Sequence, residues 1–324
     1  MKTLDTFNIA QNPTLTITPG IFYRTAVFIE SKSEEFVNQK IALWNSETNA
    51  TSSITVFPAE GSQPRPAILV IPGGGYRIVC EATEGTPIAL TFNRLGYHAF
   101  VLNYRVAPHS FPAPLHDAVR AVKIIRAHAE KWRIISDRIV CCGFSAGAHL
   151  AGSLGILADK SYGNAGDEYD SYSGMVDAMI LSYGVLVHAP WSHAGSWRNL
   201  SGGDEQIAEQ CSLERKLSMR TPPAFVWATM DDKSVDCRNS IVFAEAMRNA
   251  GRPCELHLYP WGDHGMLLGL ETPDVGSWPM AADRFLQSQW AMRENPEEIR
   301  RKYTNSYQYQ AEIAAGLTAH KISG

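Results

Sequence analysis

Short apolar runs alternate along most of the chain with segments whose apolar residues recur every three or four positions. Several runs are continuously apolar, such as Pro-Ala-Ile-Leu-Val-Ile at 66–71, which is typical of a parallel strand buried on both faces. Predicted strands cover 54–57, 66–71, 98–102, 138–142, 178–183, 224–229 and 255–259, and predicted helices cover 87–95, 115–132, 148–157, 238–250 and 279–292. This alternation predicts an α/β fold with a mostly parallel central sheet and helices on both faces.

The alternation is confined to residues 51–293, which are expected to form one domain because the chain has no internal repeat and no low-complexity linker. Residues 1–50 precede it and contain β-like runs at 15–18 and 26–29. They are expected to form an N-terminal arm or edge strands.

Two later segments also fall outside the strand and helix rhythm. Residues 188–222 interrupt it and predict a small cap insertion over the site. Residues 294–324 form a polar C-terminal tail with a helix-compatible stretch at 308–315. Docking of the tail on a neighbouring subunit and disorder are both open, and homo-oligomerisation through the terminal segments follows from the first.

The pentapeptide Gly143-Phe-Ser-Ala-Gly147 lies between a predicted strand and a predicted helix. A G-x-S-x-G sequence in this context is typical of a tight turn that exposes a nucleophilic serine at the carboxyl end of a sheet. An ordinary glycine-rich turn is the alternative, and the flanking strand and helix disfavour it. Ser145 is therefore the predicted nucleophile, and the N–H group of Ala146, at the helix N-terminus, can meet an oxyanion.

A serine hydroxyl needs a base, and the base needs an orienting acid, in the chain order serine, acid, histidine. His264 follows the predicted strand 255–259 in a glycine-flanked loop and is the predicted base. Asp232 follows the strand 224–229 and stands three residues before Val235, which is typical of the acid turn, so Asp232 is the predicted acid with Asp231 as the alternative. Asp263, next to the histidine, is expected to fix the loop.

Three glycines, Gly73, Gly74 and Gly75, directly follow the predicted strand 66–71. Their N–H groups are expected to form the oxyanion hole together with that of Ala146. A phosphate-binding loop is excluded because the chain has neither G-K-[ST] nor G-x-G-x-x-G at this place. The same chemistry predicts no cofactor and no metal.

Composition and charge limit the classes of partner, the expected location and the state of the cysteines. The formal net charge of −4 and a pI near 6.2 argue against nucleic acid and anionic membranes as partners. The first residues lack the apolar run of a signal peptide, so a cytoplasmic location is expected. The six cysteines show no C-x-x-C pair or metal spacing and are expected to be thiols, with Cys141 and Cys142 on opposite faces of one strand.

Several motifs together resemble one family. Pro-Gly-Gly-Gly-Tyr at 72–76, Glu-Gly-Thr-Pro-Ile-Ala at 84–89, Leu-Asn-Tyr-Arg at 102–105, the 143–147 pentapeptide, the segment from Thr221 to Asp232, and Gly-Asp-His-Gly at 262–265 are similar to bacterial α/β-hydrolase esterases of the acetyl xylan esterase and feruloyl/acetyl esterase-like group. The resemblance covers roughly residues 50–290. It implies Ser145 as nucleophile, Asp232 as acid, His264 as base, and Gly73–Gly75 with Ala146 as oxyanion hole.

These features predict a serine carboxylesterase that hydrolyses short-chain esters, above all acetyl esters of carbohydrates, through an acyl-enzyme. Its partner is a small-molecule ester. Tyr76, Trp191 and Trp197 are candidates for substrate contact, with packing within the cap as the alternative. An amidase or peptidase-like enzyme, including a kynurenine-formamidase-like one, a thioesterase, and a non-catalytic binding homologue remain open, whereas Arg105 and Asp117 are expected to form a structural pair.

Overall fold

A single twisted sheet organises the part of the chain that the computed structural model describes, residues 39–45 and 52–304. Its eight strands are β1 (Lys40–Ala42), β2 (Ser53–Phe57), β3 (Arg65–Ile71), β4 (His98–Asn103), β5 (Ile134–Phe144), β6 (Ala178–Ser182), β7 (Ala224–Thr229) and β8 (Cys254–Tyr259), in the order β1-β2-β4-β3-β5-β6-β7-β8. Pairing is antiparallel for β1 with β2 and for β2 with β4, and parallel for the other neighbours. The mostly parallel sheet confirms the predicted α/β class.

Helices cover both faces of the sheet. They are α1 (Glu81–Glu84), α2 (Thr86–Arg94), α3 (Ala113–Ala127), α4 (Ala129–Trp132), α5 (Ala146–Ile156), α6 (Ala194–Ser201), α7 (Glu205–Gln210), α8 (Arg238–Asn249), α9 (Trp278–Glu294) and α10 (Pro296–Thr304). Helices α3, α5 and α8 bury apolar side chains in one core cluster, and α2 and α9 bury theirs in a second cluster on the other face. In the described ranges, no helix combines the length and the apolar character that crossing a bilayer requires.

The predicted elements match the observed ones closely. Each predicted strand from 54–57 onward lies within an observed strand or extends one residue past it, and the elbow strand β5 is longer than predicted. The predicted helix 115–132 is divided into α3 and α4 at His128, and Arg133, which directly follows α4, has a left-handed backbone. Cys141 and Cys142 lie in different core clusters, which confirms their opposite faces.

Of the three irregular segments, 1–50 and 294–324 are described only in part, whereas 188–222 is described throughout. The β-like runs at 15–18 and 26–29 and the helix-compatible stretch at 308–315 lie outside the described residues. Within residues 1–50, strand β1 occupies the edge of the sheet. The segment 188–222 contains helices α6 and α7, and the Asn199 side chain of α6 donates to the carbonyl of Gly75 at 2.8 Å. This bond connects α6 to the glycine loop that follows β3.

The Asp117 carboxylate on α3 joins the edge of the sheet to the loop after β4. It is fully buried and accepts bonds from Trp44 Nε1 (2.7 Å), Ser52 Oγ (2.8 Å), and the backbone N–H (2.8 Å) and guanidinium (2.7 Å) of Arg105. The predicted pair of Arg105 and Asp117 is therefore present. Because both oxygens carry several donors, removing the charge leaves buried donors without acceptors.

We expect the substitution Asp117→Asn to destabilise the fold by about 3–5 kcal/mol, since it removes the buried charged acceptor that binds the Arg105 guanidinium, whose side chain is 12% exposed. Urea unfolding monitored by circular dichroism measures the change. Asp137→Asn is the matched control, because the Asp137 side chain is 65% exposed in its pair with Arg293 and the cost should stay below about 1 kcal/mol. Equal midpoints for the two variants would contradict the role given to Asp117.

Candidate active site

Ser145 occupies a strained turn between β5 and α5. Its backbone has φ 53° and ψ −119°, a combination that side-chain-bearing residues rarely adopt. A Cβ atom on Gly143 would overlap the carbonyl of Gly147, and one on Gly147 would overlap the carbonyls of Ile71 and Pro72. The two glycines of the pentapeptide are thus required by close backbone approach, and the N–H of Ser145 is held by the carbonyl of Ser182 at 3.0 Å.

The structure brings Ser145, His264 and Asp232 into one hydrogen-bonded chain. Ser145 Oγ lies 2.8 Å from His264 Nε2, and His264 Nδ1 lies 2.7 Å from Asp232 Oδ2. With Nδ1–H donating to the carboxylate, Nε2 is left as the acceptor of the serine proton. The three residues come from the loops after β5, β7 and β8, which end at the same edge of the sheet.

The carboxylate of Asp232 is held in a charged state by its surroundings. Its side chain is fully buried, and its second oxygen accepts the N–H groups of Ser234 (2.8 Å) and Val235 (2.9 Å). Burial by itself raises the pKa of this carboxyl, but the hydrogen bonds from His264, Val235 and Ser234 outweigh it, so the pKa lies below its ordinary value. An ionised Asp232 keeps the proton on His264 Nδ1.

The two neighbouring aspartates have other surroundings. Asp231 Oδ1 accepts the N–H of Gly262 at 2.7 Å, and Thr229 Oγ1 donates to the carbonyl of the same glycine at 2.7 Å. These bonds fix the loop that carries His264. Asp263 is exposed to solvent.

The predicted oxyanion donors do not share one environment. Gly74 and Gly75 line the pocket that contains Ser145, whereas the N–H of Gly73 donates to Glu84 Oε2 at 2.6 Å. Ala146 is the first residue of α5, so its N–H has no partner within the helix. The structure thus places Gly74 and Gly75 in the wall of the pocket with Ser145, and gives the N–H of Gly73 to a carboxylate.

Glu84 is the site residue that sequence reasoning missed. It stood in a motif of the family resemblance, but no spacing rule distinguishes it from an ordinary helix glutamate. It is 6% exposed and lies in the wall of the pocket with Ser145 and His264. Burial raises the pKa of its carboxyl above the ordinary value, against the opposing hydrogen bonds from Gly73 and Tyr183 and the nearby His264.

The structure does not bring the predicted substrate-contact aromatics to this pocket. Tyr76 is buried, and its hydroxyl bonds His149 Nδ1 at 2.7 Å. Trp197 is buried with its Nε1 donating to Ser192 Oγ at 3.0 Å, and Trp191 lies under the guanidinium of Arg238. All three pack within the fold, which is the alternative that the sequence left open for them.

The pocket around Ser145 has a volume of about 500 Å³. Its lining was largely absent from the sequence predictions, since its members come from loops and from α6. Together with Asn199, Ser234 and Val235, which are described above, it includes Arg77, Ile78, Cys80, His193, Gly195 and Ser196. The lining combines polar side chains and glycine backbone with the apolar side chains of Ile78 and Val235.

A second cavity of about 540 Å³ lies beside α6 and includes Trp197, Arg198 and Arg215. Within the described ranges, one group of side chains has metal-ligand geometry, His188 with Glu205 and Glu209, and it lines this second cavity. Glu209 also forms an ion pair with Arg215. These groups do not line the pocket of Ser145.

The sequence of this chain matches the model of a known protein family. The model of the BD-FAE family matches residues 55–247, more than half of the chain. Endo-1,4-beta-xylanase B of Butyrivibrio fibrisolvens is 41% identical over 62% of this chain, and the acetylxylan esterase of Xylanibacter ruminicola is 30% identical over 75% of it. The matches span 32% and 48% of those two proteins, so the chain corresponds to about a third of one and half of the other.

Solved structures agree with the sequence relatives. An acetyl ester-xyloside bifunctional hydrolase from Caldicellulosiruptor lactoaceticus superposes with a TM-score of 0.73 at 35% identity, over 78% of this chain and 96% of that one. The carboxylesterase Cest-2923 from Lactobacillus plantarum gives 0.62 at 27% identity, over 73% and 92% of the two chains. The sheet, the helices and these likenesses confirm the α/β-hydrolase fold. The chain belongs to the BD-FAE family and has the α/β-hydrolase fold.

Proposed function

We propose that the protein is a serine esterase that removes short acyl groups, above all acetyl, from carbohydrate esters. The observation that carries this proposal is the hydrogen-bonded chain from Ser145 through His264 to the buried Asp232. A hydroxyl bonded to a neutral imidazole, which is itself oriented by a carboxylate, is the arrangement that serine hydrolases use.

The first half of the reaction forms an acyl-enzyme. Ser145 Oγ attacks the ester carbonyl carbon while His264 Nε2 takes its proton. Asp232 stabilises the imidazolium without accepting that proton. The tetrahedral intermediate then collapses, the bond to the alcohol oxygen breaks, and His264 returns its proton to the departing alcohol.

The second half repeats the same steps with water. The oxygen of a water molecule attacks the acyl carbon on Ser145 while His264 takes a proton from that water. The bond between the acyl carbon and Ser145 Oγ then breaks, and His264 returns the proton to the serine oxygen. In both halves the negative charge on the carbonyl oxygen is stabilised by N–H groups of the glycine loop and of Ala146. The position of Ala146 at the start of α5 adds the favourable field of the helix N-terminus.

The substrate class rests on the lining and on the relatives. The carboxylate of Glu84 forms part of the wall, and a charged wall of this kind disfavours a long alkyl chain. Polar side chains of Asn199, Ser196 and His193 form the α6 side and can bind sugar hydroxyls. Two of the relatives carry acetylxylan or acetyl ester-xyloside in their names.

We expect the wild-type protein to hydrolyse p-nitrophenyl acetate faster than the butyrate and far faster than the octanoate, and to release acetate from a peracetylated xylose. Ser145→Ala should abolish this turnover, because it removes the nucleophile. Ser153→Ala is the control, since Ser153 is buried on the same helix and bonds His149 rather than His264. Turnover of anilides but not esters would favour an amidase, and wild-type inactivity on both would leave a binding homologue.

We expect Asp232→Asn to lower kcat by about 10⁴-fold, because an amide in place of the carboxylate favours the wrong tautomer of His264. Steady-state kinetics on p-nitrophenyl acetate measures the effect. Asp231→Asn is the matched neighbour, since its amide oxygen can still accept the N–H of Gly262, and its loss should be at least about 100-fold smaller. A larger loss in the Asp231 variant would make Asp231 the acid.

A further inference from the structure

The glycine loop after β3 has all its carbonyl oxygens bound. The carbonyl of Pro72 accepts a bond from the Tyr104 hydroxyl, and that of Gly73 from Cys80 N. The carbonyl of Gly74 accepts bonds from the N–H groups of both Arg77 and Ile78. The carbonyl of Gly75 accepts from Asn199 Nδ2, and that of Tyr76 from Ala107 N. The loop is therefore held from the side of its carbonyls by six donors. The other polar atoms of the loop are its N–H groups, and their direction decides whether an oxyanion can bind.

One of those N–H groups is held by a side chain. Gly73 N donates to Glu84 Oε2 at 2.6 Å, and the carboxylate is buried beneath the loop. A hydrogen bond from a peptide to a buried carboxylate is stronger than one to a neutral acceptor. A Cβ atom on Gly73 would lie 2.9 Å from both Glu84 Oε2 and Ser145 Cβ, so this bond is formed next to the nucleophile.

The other oxygen of Glu84 is bound from the opposite side. Tyr183, directly after β6, donates its hydroxyl to Glu84 Oε1 at 3.0 Å. The ring of Tyr183 also lies edge-on to that of His264, with 5.1 Å between the ring centroids. The backbone N–H of Tyr183 donates to the carbonyl of Trp227 at 2.7 Å. Tyr183 directly follows Ser182, whose carbonyl accepts the N–H of Ser145. Through Tyr183, Glu84 therefore connects the glycine loop to the end of β6.

We propose that Glu84 is a positioning residue of the hydrolytic site. Its carboxylate clamps Gly73 N–H to the Tyr183 hydroxyl, and this orients the loop so that Gly74 N–H, together with Ala146 N–H, meets the oxyanion. The inference rests on the proposed serine esterase function. It removes Gly73 from the oxyanion donors that the sequence predicted and gives its N–H a structural task.

Loss of the clamp should change kcat and KM in a specific way. Glu84 bonds the loop rather than the ester, so its loss should affect the charged transition state more than the bound ground state. Glu84→Ala should lower kcat by about 100-fold, the order that loss of one oxyanion donor costs, and leave KM nearly unchanged. The rate at which a fluorophosphonate labels Ser145 should fall with kcat, because its phosphoryl oxygen occupies the same hole.

Two variants separate the clamp from plain destabilisation. Glu84→Gln keeps the clamp, because its carbonyl oxygen can accept Gly73 N–H while its amide donates to the Tyr183 oxygen, so it should retain kcat within about tenfold of the wild type. Glu81→Gln, on the same short helix, is the control and should leave both rates unchanged. Thermal melts of each variant show whether the folded state persists at the assay temperature.

The outcomes are distinct. A wild type that neither hydrolyses acetyl esters nor reacts with the fluorophosphonate would overturn the proposed function itself. An active wild type together with a folded Glu84→Ala variant of unchanged kcat would overturn only the clamp. So would a rise in KM at constant kcat, or a Gln variant as inactive as the Ala variant.

Discussion

The backbone of Ser145 is the constraint on which the site depends. A residue with a side chain at φ 53° and ψ −119° costs of order 1–3 kcal/mol, and it persists only where the surroundings determine it. Here the surroundings are two glycines in backbone contact with the neighbouring turn, and the carbonyl of Ser182 on the adjacent strand. The helix α5 starts directly after this turn, so the proposed nucleophile Ser145 and the proposed oxyanion donor Ala146 are placed by one element.

The order of the strands supplies the rest of the site. Four neighbouring strands, β5, β6, β7 and β8, end at one edge, and the residues after them are Ser145, Tyr183, Asp232 and His264. Parallel neighbours lie about 4.8 Å apart, so β5 and β8 are separated by about 14 Å, and the loops after β7 and β8 bring Asp232 and His264 back to Ser145. Tyr183 follows β6, which lies between β5 and β7, and there its ring packs edge-on to His264 and its hydroxyl reaches Glu84.

The elements and the three catalytic candidates could be predicted because each leaves a local signal. Continuous apolar runs indicate buried parallel strands. Gly143 and Gly147 around Ser145, between a strand and a helix, are typical of a tight turn that exposes a nucleophilic serine. Glu84 could not be assigned, because its role arises from Gly73 and Tyr183, which are remote in sequence. Tyr76 and Trp197 were misleading for a related reason: an aromatic residue near a motif gives no sign of whether it faces a pocket or the core.

The most direct test of the central claim, that Ser145 carries the acyl group, is mass spectrometry of the protein after brief reaction with p-nitrophenyl acetate and acid quenching. Trypsin releases Ser145 within a peptide of residues 139–160. The proposed mechanism predicts one acetyl group on that peptide, with fragmentation placing it on Ser145 rather than on Ser153. Continued ester turnover with an unmodified Ser145, or with the acetyl group on another side chain, would contradict it.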